Sequence, residues 1–266
     1  MTTEPNGAPG AELAAEDLVR ETVADEVLEL ALDSPANRNA LSAPLVGGLV
    51  DGLRTAATDP GVRVVVLTHT GSTFCAGADL AEAAREGGPA AGTARLVGLL
   101  RAILTCPKPV VARVDGHVRA GGIGLVGACD LAVVGPSSDF AFTESRLGLA
   151  PVIISLTVTP RLTDRAASRY YLTGERFDAA EAERIGLVTT AADDAAAALA
   201  PLLDAFRACS PQGLAESKAL TVEPLLARFD ELADELTERS ARLFASEEAQ
   251  EGIAAFREKR PPRWQR

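Results

Sequence analysis

The chain has only two histidines, His69 and His117, and its four cysteines stand apart at positions 75, 106, 129 and 209. No CxxC spacing occurs, and no histidine lies close enough to complete a zinc site, so a protein-bound transition metal is not expected. Cys75 and Cys129 lie in apolar segments and read as core residues rather than nucleophiles. Unpaired thiols, with no basic-then-apolar leader at the start, suggest a reducing, cytoplasmic compartment. The longest apolar runs, such as Val62–Thr68 and Val110–Val114, are strand-sized and too short to cross a bilayer. Basic residues are outnumbered, 26 Lys and Arg against 37 Asp and Glu, for a net charge of −11. A nucleic-acid binder would carry a basic face, and none is evident. The basic cluster Arg257–Arg266 fits either contact with a phosphorylated ligand or a solvated end. Phosphate-loop and dinucleotide fingerprints are also missing: no Gly-Lys-Ser/Thr follows the glycine-rich turn, and that turn does not follow the first strand of a βαβ unit.

What is present is ordinary soluble-protein composition, 47% hydrophobic and 24% charged over 266 residues. Met1 to Glu12 shows no period and reads as a disordered tail. Leu18–Thr22 and Val27–Leu32 read as a hairpin about Ala24-Asp25-Glu26. Ser42 can cap a helix to Ala57, broken at Asp59-Pro60-Gly61. Val62–Leu67 and Val110–Val114 read as buried strands, separated by a helix near Thr93–Leu104. A short helix, Gly121–Ala128, precedes strands Leu131–Val134 and Asp139–Phe142. Beyond Pro151 the pattern is helical: Pro151–Leu162, Asp164–Leu172, Ala179–Ile185, Asp193–Cys209, Pro211–Leu220 and Glu223–Ser246. Alternating strands and helices followed by a helical run indicate an α/β core with an α-helical C-terminal part.

Two turns stand out chemically. Phe74-Cys75-Ala76-Gly77-Ala78-Asp79-Leu80 follows one buried strand, and Asp115–Gly124 with its Gly121-Gly122-Ile123-Gly124 follows the next. A helix beginning at Gly121 leaves its first N–H groups unpaired. N–H groups from two such turns can converge on one oxygen as an oxyanion hole. Tight packing alone also produces Gly-Gly-x-Gly at a helix start, so spacing by itself leaves both readings open.

Together these segments resemble the crotonase (enoyl-CoA hydratase/isomerase) family. Phe74–Leu80 is similar to its F-x-A-G-A-D segment, and Cys106–Ala112 to its P-K-P strand. Gly121–Leu125 through Cys129-Asp130 is similar to its glycine-rich helix and C-D element. Phe140–Glu144 with Gly148 and Pro151, Thr173–Phe177 with Gly186-Leu187-Val188, and the terminal Phe256–Arg260 follow in family order. The resemblance implies a spiral of ββα repeats over residues 13–208, after a tail of residues 1–12. Residues 209–266 would then form a helical region that assembles homotrimers or hexamers. It implies oxyanion-hole N–H groups at Ala78 and Gly121, and coenzyme A contacts at Ala76, Asp79 and Leu80. Lys259, with Phe256 from a neighbouring subunit, would approach the nucleotide end. Coenzyme A would belong to the acyl-CoA substrate, with no separate cofactor. RNA binding, known for some relatives, is disfavoured by the charge.

The departure lies at position 124. Two-carboxylate hydratases of the family carry one glutamate there and another at the position of Glu144; here residue 124 is Gly. One base suffices to shift a double bond, which favours an isomerase. Ser145–Ser155, lacking the usual Gly-Gly after Pro151, is similar to a branch around bacterial methylglutaconyl-CoA hydratases, which favours a hydratase using Glu144 alone. An inactive acyl-CoA binder is a third reading. On its residues alone Glu144 could instead be a surface or capping carboxylate. His117, Gly124 and Pro151 are assigned to the acyl pocket, His117 as a wall or core residue rather than an acid or base. Glu82 and Glu86 read as a solvated face, and Ala81–Gly92 as a mobile flap over the acyl tail.

Overall fold

The computed structural model describes residues 18–86 and 88–265, so the expected tail lies outside the described residues. Strands β1 (Val19–Ala24) and β2 (Val27–Leu32) form the expected hairpin. Both turn residues, Asp25 and Glu26, take positive φ, the geometry that matches the twist of the flanking strands. Helix α1 (Ala43–Thr58) leads to β3 (Val64–His69) and the short β4 (Thr73–Cys75). Helices α2 (Leu80–Arg85) and α3 (Ala90–Thr105) follow, then β5 (Val110–Val114), β6 (His117–Arg119) and α4 (Gly121–Ala128). Next come β7 (Leu131–Val134) and β8 (Asp139–Ala141). The chain ends with α5 (Ser155–Val158), α6 (Asp164–Thr173), β9 (Phe177–Asp178), α7 (Ala179–Arg184), β10 (Thr190–Ala191), α8 (Ala195–Ala208), α9 (Pro211–Phe244) and α10 (Glu247–Glu258).

One sheet runs β1-β2-β3-β5-β7-β10 and a second runs β4-β6-β8-β9. Each long parallel strand is followed at once by a short strand in the second sheet: β3 by β4, β5 by β6, β7 by β8. This repeat is the ββα winding of the crotonase fold. The apolar runs are continuous because the first sheet is buried on both faces. Val65 and Leu67 point into the main core with α1, whereas Val64, Val66, Val111 and Val133 pack under Ala195 and Leu199 of α8.

Two helical expectations are corrected. Pro151–Leu162 is a string of turns with only α5 helical. There Ser155 Oγ donates to the Val152 carbonyl and Thr157 Oγ1 to those of Gly124 and Ile154, competing with the helix ladder. The expected break between Leu220 and Glu223 is absent: α9 runs unbroken through Pro224. Its buried Val222, Leu225 and Phe229 hold it against the core, and the proline faces solvent. Ala81–Gly92 is largely helical, with Arg95 of α3 paired to Glu82 and Glu86; Gly87 lies outside the described residues.

Helix α9 is riveted to the core by Lys218. Its buried ammonium donates to the carbonyls of Ile103 and Lys108 and pairs with Asp130 at 2.8 Å. Asp130 also accepts the Val110 N–H at the start of β5, so this carboxylate ties β5, β7 and α9 together. Removing one member strands a buried charge, which typically costs about 3–5 kcal/mol. Lys218→Met is therefore expected to lower the melting temperature by roughly 6 °C or more, given about 2–4 °C per kcal/mol at this chain length. Calorimetry checks this; a change within 1 °C would contradict the rivet.

Candidate active site

The two glycine turns abut. A Cβ on Gly77, whose φ is +94°, would stand 2.9 Å from the Ala120 Cβ and 3.5 Å from the Gly121 nitrogen. No L side chain fits that backbone or that gap. The Gly77 carbonyl accepts the Leu41 N–H at 2.8 Å. Because carbonyl and N–H of one trans peptide point in opposite directions, the Ala78 N–H faces away from Leu41. The Ala120 carbonyl is likewise taken, by the N–H groups of Ile123 and Gly124, so the Gly121 N–H projects back out of the start of α4. Among the described residues neither Ala78 nor Gly121 donates a hydrogen bond. Ala120 holds this turn at φ 45°, ψ −116°, a conformation that costs a non-glycine residue about 1–3 kcal/mol. The strained residue thus lies beside two N–H groups without partners among the described residues.

The first turn is braced from several sides. Asn39, fully buried, donates to the carbonyls of Thr70 and Thr73 and fixes the β3–β4 connection. Ala76 donates its N–H to the Arg38 carbonyl. Asp79 caps α2 by accepting from Ala81 and Glu82, so its carboxylate is structural, while Leu80 begins the helix. Cys75 is buried, its thiol pushed up to about 12 by burial, and Cys129 is buried and raised for the same reason. Both are inert core thiols. Ser42 occupies the N-cap position of α1 without a capping bond; Glu82 accepts the Ala43 N–H there instead, at 2.9 Å. Glu82 is thus a half-buried strut rather than a member of a solvated face.

Glu144 opens the 3-10 turn Glu144–Leu147 after β8. The residue is only partly covered, yet its Oε2 is sealed from solvent and has no hydrogen-bond partner among the described residues. Burial pushes this carboxyl up to about 7, and its own N–H offsets that only partly. Its charge in turn helps to raise Tyr171, which burial first of all pushes to about 12. Helix α10 packs on the turn that carries Glu144. A Cβ on Gly252 would stand 2.4 Å from the Leu147 oxygen, and one on Gly148 2.6 Å from the Glu248 oxygen, so helix and turn meet backbone to backbone. At the end of α10, Arg257 donates to the Leu80 carbonyl, and Phe256 and Lys259 are exposed beside it. In the basic C-terminal cluster, Arg260 and Arg263 share one buried carboxylate, Glu251.

Gly124 lies one turn into α4 from Gly121, beneath Ile154. Pro151 is buried on the loop leading to Ile154. His117 is elsewhere: it is exposed at the start of β6, and its Nδ1 contacts Asp139, which also holds Arg119. It is a surface residue of an ion cluster rather than a core or wall residue. The packing of α10, Tyr171 and the strut role of Glu82 were not visible in the sequence pattern. An open groove of about 620 Å³ between α1 and α3, lined by residues such as Val50, Leu53 and Arg101, includes neither turn nor Glu144.

Residues 22–266 match the sequence model described as enoyl-CoA hydratase/isomerase. The chain is similar to the 2,3-dehydroadipyl-CoA hydratase of Escherichia coli K12, 34% identical over 257 residues, covering 89% of this chain and 94% of that one. It is 33% identical over 251 residues to the mevalonyl-coenzyme A hydratase of Aspergillus fumigatus, covering 90% and 91%. Its fold superposes on the crystal structure of an enoyl-CoA hydratase from Mycobacterium avium with a TM-score of 0.88 and 56% identity, covering 94% and 100%.

The state of Glu144 links stability to pH. Its folded value, about 7, lies above the ordinary 4.5, so the folded chain holds the proton more tightly. The cost of the buried charge is absent below that window, grows as pH rises through it, and is complete above 7. Glu144→Gln removes that cost, of order 3 kcal/mol by the size of the shift. The variant is expected to melt several degrees above the parent at pH 8 and level with it near pH 4. Equal melting at both pH values would contradict the burial of this charge.

Proposed function

Because the chain belongs to the enoyl-CoA hydratase/isomerase family and is an enzyme of its hydratase kind, we propose that it adds water to a 2-enoyl-CoA thioester, and removes it in reverse, with Glu144 as its one catalytic carboxylate. The observation that carries this reading is the desolvated, unpartnered Oε2 of Glu144. The thioester oxygen would accept the N–H groups of Ala78 and Gly121, where the dipole of α4 adds a favourable field. Ionised Glu144 takes a proton from water as its oxygen bonds to C3, and the electron pair of the double bond moves to the thioester as an enolate. Glu144 then returns that proton to C2, and water has been added in full. In the reverse direction the carboxylate takes the C2 proton and delivers it to the departing hydroxyl.

Both directions start from the ionised carboxylate, so a group that titrates near neutrality can serve both roles. Gly124 supplies no second carboxylate, which sets this reading apart from a two-glutamate mechanism. Ala76 and Leu80 would lie along coenzyme A, and exposed Lys259 and Phe256 near its nucleotide. The assembly in this reading is a homotrimer or a dimer of trimers. The hydratase names of the relatives support hydration over a double-bond shift.

The test is product identification by mass spectrometry after incubation with 2-enoyl, 3-enoyl and glutaconyl thioesters. A product heavier by one water is expected from the 2-enoyl substrate. Glu144→Gln is expected to lower kcat by about 10²–10⁴-fold with little change in KM. The kcat/KM of the parent should fall as pH drops through about 7. Conversion of 3-enoyl thioesters without change of mass, and no hydration, would replace the reading with an isomerase. Full activity in Glu144→Gln would overturn the role of Glu144.

A further inference from the structure

Gly124 and Ile154 compete for one space. A Cβ built on Gly124 would stand 2.6 Å from Cγ2 and 3.1 Å from Cβ of Ile154, with Leu100 Cδ2 at 3.6 Å. The volume a side chain at 124 would take is already filled by Ile154, which is 3% exposed. The same face of α4 continues apolar at Gly121, where Leu41 Cδ1 and Leu96 Cδ2 stand 2.8 and 3.6 Å from the corresponding Cβ position. Ile154 is held in register by the chain around it: Thr157 Oγ1 donates to the Gly124 carbonyl at 3.0 Å, which ties this loop to α4. Leu41, Leu96, Leu100 and Ile154 thus wall the first turn of α4, directly beside the unpaired Gly121 N–H.

We propose that Ile154 is a specificity-determining residue: wedged over Gly124 between α4 and α3, it limits how far an acyl group can extend from the Gly121 N–H, so the site takes compact, uncharged acyl groups. The proposal rests on the reading of Ala78, Gly121 and Glu144 as the reaction centre. Ile154 touches neither proton nor oxygen; it acts by occupying volume. Cutting it back opens apolar space of the kind a longer hydrocarbon chain fills.

The experiment is a chain-length series of straight 2-enoyl-CoA thioesters with the parent and Ile154→Ala. Each methylene in an apolar pocket is worth about 10-fold or more in kcat/KM, so Ile154→Ala should raise the long-to-short ratio by at least about tenfold. An unchanged ratio in a folded Ile154→Ala protein would overturn the proposal, because a merely structural residue would not move it. Ile154→Val, a milder cut that keeps Cγ2, should shift the ratio in the same direction by less. The shared space gives an independent arm: Gly124→Ala should lower the melting temperature of the parent, and should lower it much less in the Ile154→Ala background. Additive effects of the two substitutions would contradict the wedge. Binding of saturated acyl-CoA thioesters of the same lengths, measured by calorimetry, reads the ratio without turnover. A parent that binds but does not hydrate would count against the hydratase reading alone, while its binding ratio still decides the role of Ile154.

Discussion

The gap between Gly77 and Gly121 is the constraint from which the site follows. Two turns, each delivered by a strand of the parallel sheet, approach until no side chain fits between them. Each peptide there has its carbonyl committed, to Leu41 in one turn and to the start of α4 in the other. The N–H groups of Ala78 and Gly121 are consequently left facing outward. The strain at Ala120 is carried by this arrangement, and the bracing by Asn39 and the Lys218–Asp130 rivet keep the supporting strands in register. A polar receptor made of backbone alone cannot be moved by a rotamer change. In the proposed reading its geometry is fixed before any ligand arrives, which is the condition for stabilising a developing oxyanion.

Against that fixed receptor, Glu144 supplies the titratable element. Its carboxylate is expensive to ionise because it is buried, and α10 packs on the turn that carries it through backbone contact at Gly148 and Gly252. The same burial that weakens the fold above neutral pH brings the group near the value at which one carboxyl can both take and return a proton. A hydratase with two carboxylates can divide those tasks. Here the space beside Gly124 is filled by Ile154, and in the proposed reading the chemistry falls to Glu144 alone.

Much of the fold was legible because the first sheet is buried on both faces, so its strands appear as unbroken runs such as Val64–Leu67. The two turns were legible as sequence order and glycine spacing, and their abutment follows from parallel β4 and β6 being neighbours. Helix breaks were misread where tertiary contacts override local preference: Pro224 sits in an intact α9, and Pro151–Leu162 is coiled by its hydroxyls. Glu82 could not be recognised as a strut, since its partner Ala43 is distant in sequence. The missing Gly-Gly after Pro151 and the glycine at 124 were both visible as departures. Only packing reveals them as two halves of one exchange of volume.

The proposed chemistry depends on burial holding Glu144 near neutrality. The direct measurement is carbon-detected NMR of side-chain carboxyls in the uniformly labelled protein, with Glu144→Gln used to assign the resonance. The account predicts a Glu144 midpoint of about 7, far above the ordinary 4.5. A midpoint near 4.5 would contradict it, since the carboxylate would then be solvated and poorly suited to return its proton to carbon.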